Sequence, residues 1–169
     1  MTAYEMSDSR VVSVPSHVYP LRAGVIGGAV GGVAMAAVAV VYGAVWRGSP
    51  WLPINVVAAT VLRDLQTVSP TELAQFNANA LMVGGVMHVI LSIGLGTLFA
   101  QLLPTMPGSP IGWALTVGPL LWIIATVITL PLVNPLGATV IDWPSFIAAH
   151  MAYGLVMGLY VAHTPKVKA

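Results

Sequence analysis

Four uninterrupted apolar stretches decide what this chain can become. They cover residues 23–46, 80–103, 111–133 and 143–162, and none contains Asp, Glu, Lys or Arg. A helix crosses the hydrocarbon core of a bilayer with about 20 apolar residues, at about 1.5 Å each. A soluble helix would show polar positions at 3.6-residue spacing, and these stretches do not. Only 7% of the 169 residues are charged, against about 25% in an ordinary soluble domain. So few charges cannot cover a surface that faces water. The sequence therefore predicts an all-α protein built as a bundle of four transmembrane helices, with the lipid bilayer as its main solvent.

The edges of the stretches fit this reading. Trp46, Trp51, Trp113 and Trp143 fall at or near the ends, where amphipathic rings favour the interface. Turns are marked by Gly48-Ser49-Pro50, by residues 104–110 and by Asn134-Pro135-Leu136-Gly137. Residues 1–22 read as a polar tail, because Glu5, Asp8, Pro15 and Pro20 break any signal-peptide pattern. Residues 164–169 form a second tail. The basic residues Arg10, Arg22, Lys166 and Lys168 outnumber Arg47 and Arg63 at the other end, which predicts cytoplasmic termini and an outward loop over 47–79. Within that loop, residues 54–65 read as a short helix on the membrane surface. Ser69, Pro70 and Glu72 form a capping box, so the second helix is expected to extend back toward Pro70.

Several function classes lack their residues. The net charge is +1 and no basic patch interleaved with aromatics occurs, so nucleic acid is not an expected partner. There is no cysteine, hence no disulfide or thiolate chemistry within the chain. No Walker loop, HExxH or Ser-His-Asp set appears, so no catalytic residue is assigned and an enzyme is not expected. No carboxylate lies in a span, whereas proton-coupled transporters usually rely on one.

Two helices resemble one another. Placing His88 on His150 aligns Ser92 with Gly154, Gly96 with Gly158 and Ala100 with Ala162, with Pro104 and Pro165 closing the two segments. Each half would be a helix pair, giving two tandem parallel repeats. Gly84, His88, Ser92 and Gly96 form one four-residue ridge, and Phe146, His150, Gly154 and Gly158 form the other. Small residues at this spacing let helix backbones approach closely. Both histidines should then face protein at a similar depth. Two readings follow. Each imidazole bonds a hydroxyl or carbonyl across the bundle, with Ser92, Thr126, Thr129 and Tyr153 as candidates. Otherwise the pair holds a b-type haem as cofactor, or a metal or quinone contact, between His88 and His150. Absence of a cofactor is the favoured expectation. His17 and His163 read as solvated or interfacial.

The first helix carries Gly24, Gly28, Gly32 and Ala36 in one row, with Gly27 and Gly31 beside it. Glycine is costly in a helix interior, so this row predicts a close approach, either inside the bundle or against another subunit. Pro119 is expected to kink the third helix, and Trp122 to pack or to line a quinone or pigment site.

The segment Ser49-Pro50-Trp51-Leu52-Pro53-Ile54-Asn55, the His88 ridge, Gly118-Pro119 with Trp122, Asn134-Pro135, Asp142-Trp143 and the His150-Gly154-Gly158 ridge resemble a group of uncharacterised small four-helix bacterial membrane proteins. The resemblance covers most of residues 22–163. It implies a multi-pass protein of the bacterial inner membrane and no particular activity. The favoured function is a non-catalytic accessory or structural subunit with other membrane subunits as partners, in a respiratory or photosynthetic electron-transfer assembly. The alternatives are a small b-type cytochrome with bis-histidine haem, and a small transporter or channel acting as an oligomer.

Overall fold

The computed structural model describes residues 15–169. The polar-tail reading of residues 1–14, Arg10 included, lies outside the described residues. Among the described residues, four helices are long and apolar enough to cross a membrane. The first is α1, Leu21–Trp46. After it come α2 (Trp51–Ala58) and the single turn α3 (Pro70–Leu73). The second long helix is α4, Ala78–Leu102. The third is composite, with α5 over Pro110–Ile123, a π segment over Ile124–Thr129 and α6 over Leu130–Val133. A short α7 (Pro135–Val140) leads to the last long helix, α8, Trp143–His163.

Small residues set the packing. α1 crosses both α4 and α8, and α5 crosses α8. No crossing of that closeness joins α4 to α5 among the described residues. A Cβ on Gly24 would meet the Gly96 carbonyl at 2.8 Å, and one on Gly28 would run into the Ser92 carbonyl. Gly27 and Gly31 face α8 instead, at Val161, Tyr153 and Met157. The second pair meets in the same way. A Cβ on Gly154 would stand 2.5 Å from the Ala114 carbonyl, and Gly158 abuts the Ala114 side chain. Thus Gly24 and Gly28 engage Ser92 and Gly96, as Ala114 and Gly118 engage Gly154 and Gly158. The Tyr153 hydroxyl spans the bundle and donates to the Ser92 carbonyl at 2.7 Å.

The ends of α1, α4, the third helix and α8 nearest Trp46, Ala78, Val133 and Trp143 share one side, where the two inter-helix segments form a cap. Its polar side chains spend themselves on backbone carbonyls. Asn55, 2% exposed, donates to the Leu73 and Gln75 carbonyls, both at 2.8 Å. Asn134 donates to the Val56 carbonyl at 2.7 Å. Arg63 donates to the Val133 carbonyl, and Gln66 to Ala59 and Val133.

The glycine row takes the first of its two expected settings, inside the bundle, since Gly24, Gly28 and Gly32 pack on α4 of the same chain. Two expectations change here. The surface helix is Trp51–Ala58 rather than 54–65, and it is wedged between α1 and α4. A Cβ on Gly43 would meet the Ser49 carbonyl at 2.7 Å, and one on Gly84 the Ile54 carbonyl at 3.1 Å. Ser69 does cap a helix, accepting from the Glu72 amide at 3.2 Å, but that helix ends at Leu73. Asn55 takes the Leu73 and Gln75 carbonyls that a continuing helix would need, and Asn77 caps a new start by accepting from the Ala80 amide. The third helix runs in α form past Pro119 and shifts to π form only ahead of Pro131. Proline has no amide to donate, and a π turn is one way a helix absorbs the lost bond.

The tails are not both free. His17–Val18 (β1) pairs antiparallel with Val167–Lys168 (β2), and the Lys166 ammonium lies 5.1 Å from the centre of the Tyr19 ring. This ladder ties the described N-terminal segment to the C-terminal one.

Candidate ligand-binding cavity

The two halves of the bundle differ in how closely α1 and α4 approach. Around Gly24, Gly28 and Gly32, α1 and α4 nearly touch. Toward the cap, α2 stands between them. The space left below α2 is a cavity of about 290 Å³. Its walls are apolar, from Met35, Ala39 and Val40 on α1, Leu52 and Val56 on α2, Leu81 on α4 and Phe146 on α8. Polar groups occupy its two ends. Tyr42, Arg47 and Asp142 sit at the cap side, and His88 lines it at the far side.

His88 and His150 are placed differently. The His88 Nε2–H donates to the Gly32 carbonyl at 2.9 Å, across the α1–α4 crossing. His150 is 6% exposed, donates from Nδ1 to the Phe146 carbonyl of its own helix at 2.8 Å, and has the Phe146 ring against it at 4.4 Å. Neither bonds Ser92, Thr126, Thr129 or Tyr153. The cavity reaches His88 and not His150. A shared haem needs one free nitrogen from each ring aimed at a common space. Here the free nitrogens are Nδ1 of His88 and Nε2 of His150, and the cavity is lined by the first ring and not by the second. The cavity therefore does not bring both imidazoles to one space, as the bis-histidine haem of the alternative reading would need. No three His, Asp or Glu side chains converge on a metal-sized site among the described residues.

The remaining site residues also have assigned neighbours. Ala36 ends the glycine row and lines the cavity. Gly84 faces α2, and Ser92 is buried with its carbonyl bonded to Tyr153. Trp122 stacks edge-on with Trp143 at 6.0 Å, and its buried Nε1–H has no acceptor among the described residues. His163 donates to the Leu159 carbonyl near the exposed end of α8. Sequence reasoning missed Tyr42, Arg47 and Asp142 as a group, because 95 residues separate the last two. The one local signal was Asp142 before Trp143-Pro144, a helix start.

Asp142 caps α8 by accepting from the Ser145 amide at 3.0 Å. That bond holds its carboxyl below the ordinary value near 3.8, and the Tyr42 and Ser145 hydroxyls and the Arg47 charge act in the same direction. A carboxylate with a lowered folded pKa contributes stability that is complete above its unfolded pKa. The contribution is lost as the pH falls through the folded value. Acidification below about pH 4 is therefore expected to loosen the first turn of α8. Amide protection at Ser145 and Phe146 reads this directly. Asp142→Asn keeps a capping oxygen and should lack the acid step. The same acid step in that variant would remove the charge from the explanation.

Comparison with family models, with curated proteins and with solved structures yields no match to this chain.

Proposed function

We propose that this chain is a non-catalytic, multi-pass protein of the bacterial inner membrane whose capped cavity binds a small lipid-soluble molecule. The cavity carries the reading. Binding sites for small ligands are concave and mostly apolar, with a few convergent polar groups. This one lies between a glycine-tight crossing and a hydrogen-bonded cap, with His88 at one end and Tyr42, Arg47 and Asp142 at the other. The four-helix transmembrane bundle, two tandem helix-pair repeats and cytoplasmic termini belong to the same reading. The paired crossings of Gly24 and Gly28 with α4, and of Ala114 and Gly118 with α8, support the repeat.

Photolabelling in lipid nanodiscs tests the reading. A diazirine-bearing alkane should label Met35, Ala39 and Leu81 more heavily than outward-facing Val89 and Ile90. Gly85 lines the cavity and has open space where a Cβ would go. Gly85→Phe should therefore fill the cavity without a backbone clash and remove the inner labels alone. Equal labelling of inner and outer positions, or inner labels that survive Gly85→Phe, would end the proposal.

An accessory role in a larger membrane assembly is the second reading. It is favoured by the seam between α4 and α5, where no close crossing seals the bundle among the described residues. A helix of another subunit would pack there. Cysteine pairs introduced on that seam should cross-link to a partner in native membranes if this holds. Cross-links to lipid analogues alone would leave the chain on its own.

A further inference from the structure

The cavity's single polar end deep in the bundle is unusual in its hydrogen bonding. Three histidines sit on the long helices. His150 and His163 both spend Nδ1–H on the carbonyl four residues earlier in their own helix, Phe146 and Leu159. His88 does not. Its ring is turned across the crossing, and Nε2–H donates to the Gly32 carbonyl on α1. A carbonyl only accepts, so the proton must be on Nε2. In the neutral ring Nδ1 is then a bare acceptor. No hydrogen-bond donor of the chain reaches that nitrogen among the described residues, and His88 lines the cavity.

This tautomer is built into the fold. Gly32 has no side chain, and a Cβ there would meet the Ser92 Oγ at 2.7 Å and its Cβ at 2.8 Å. Glycine at 32 thus lets α1 lie close enough to α4 for the His88 ring to reach the α1 backbone. The fixed donor bond in turn fixes what the other nitrogen offers.

From this we infer that the cavity selects a lipophile bearing a hydroxyl group, an alcohol or phenol on an apolar body, and that the hydroxyl donates to His88 Nδ1. The inference rests on the cavity being a binding site. The apolar walls take the body of the ligand. From Leu81 to His88 the α4 wall extends about 10 Å, room for a ring and a short chain. An ether or hydrocarbon of the same shape fills the walls but leaves Nδ1 unbonded. A site that offers a buried acceptor discriminates against ligands lacking the donor.

The test uses 4-hexylphenol and its methyl ether, 4-hexylanisole, as competitors of the alkane photolabel. In the wild-type chain the phenol should displace the inner labels at roughly threefold to tenfold lower concentration than the ether, the worth of one neutral hydrogen bond. His88→Phe should bring the two competitors level relative to their wild-type ratio, which cancels their different partitioning into lipid. Nitrogen NMR of the wild-type imidazole avoids any question of the variant's folding. The His88 Nδ1 resonance should move on adding the phenol and stay in place with the ether. Equal displacement by both, an unchanged ratio in His88→Phe, or a static Nδ1 resonance would each overturn the inference while the cavity reading stands. Failure of both competitors to displace inner labels that Gly85→Phe does remove would also reject it. Absence of inner labels altogether would remove the cavity reading and this inference with it.

Discussion

Replacing Gly28 by leucine is expected to disrupt the chain's own fold rather than its association with anything else. A Cβ at this position would run into the Ser92 carbonyl and lie 2.9 Å from the Ile93 Cα. Those are backbone atoms of α4, and they cannot swing aside as a side chain would. Gly96 repeats the constraint from the opposite helix, where a Cβ would meet the Gly24 carbonyl at 2.6 Å. Overpacking a tight interior costs about 1–3 kcal/mol, occasionally more, and this site belongs at the upper end. Separation of α1 from α4 would also carry Gly32 away from His88, so the Nε2 bond should be lost with the crossing. Denaturant titration in detergent micelles measures the loss. Gly94→Leu is the control, because no atom stands within 4 Å of its Cβ position. That change should stay within about 0.5 kcal/mol. If Gly28→Leu and Gly94→Leu unfold together with the wild type, the crossing is not what holds α1.

The four long helices were legible because each is written locally. An apolar run without charge needs no knowledge of its neighbours, and its ends are marked by tryptophan, proline and glycine. The predicted stretches and the observed helices accordingly differ by only a residue or two at most ends. What failed to show was everything that depends on a distant partner. The spacing of Gly24, Gly28 and Gly32 announces that some backbone comes close, but not whose. The Ser69 cap is real, yet the turn it starts is stopped by Asn55, 18 residues from Leu73. The β1–β2 ladder joins two segments 150 residues apart, and two residues per strand are too few for an alternation to appear. The ridge spacing singled out His88 as a residue facing protein, but its tautomer depends on a carbonyl 56 residues away. The cavity had no sequence signal at all. It exists because α2 holds two helices apart that glycine brings together elsewhere.

Asn134 offers the sharpest test of the cap. It is fully buried at the turn between α6 and α7 and uses both ends of its amide. Its nitrogen donates to the Val56 carbonyl at 2.7 Å and to the Thr60 hydroxyl at 3.2 Å, while its oxygen accepts from the Gly137 amide at 2.9 Å. One side chain thereby caps α7 and secures the end of α2, 78 residues earlier. Asn134→Ala should lose a helix cap, worth about 1 kcal/mol. It should also strand the Val56 carbonyl, at a cost of about 1–3 kcal/mol. Asn134→Asp keeps the capping oxygen but sets a carboxylate against the Val56 carbonyl, so it should rescue α7 and not α2. The two substitutions separate the roles by amide exchange. Alanine should loosen residues 56–60 and 137–138 together, whereas aspartate should loosen the first group alone. If alanine frees only α7, then α2 is held by its own apolar packing. The roof of the cavity would then rest on Leu52, Val56 and the glycine contacts rather than on a polar clasp between the two loops.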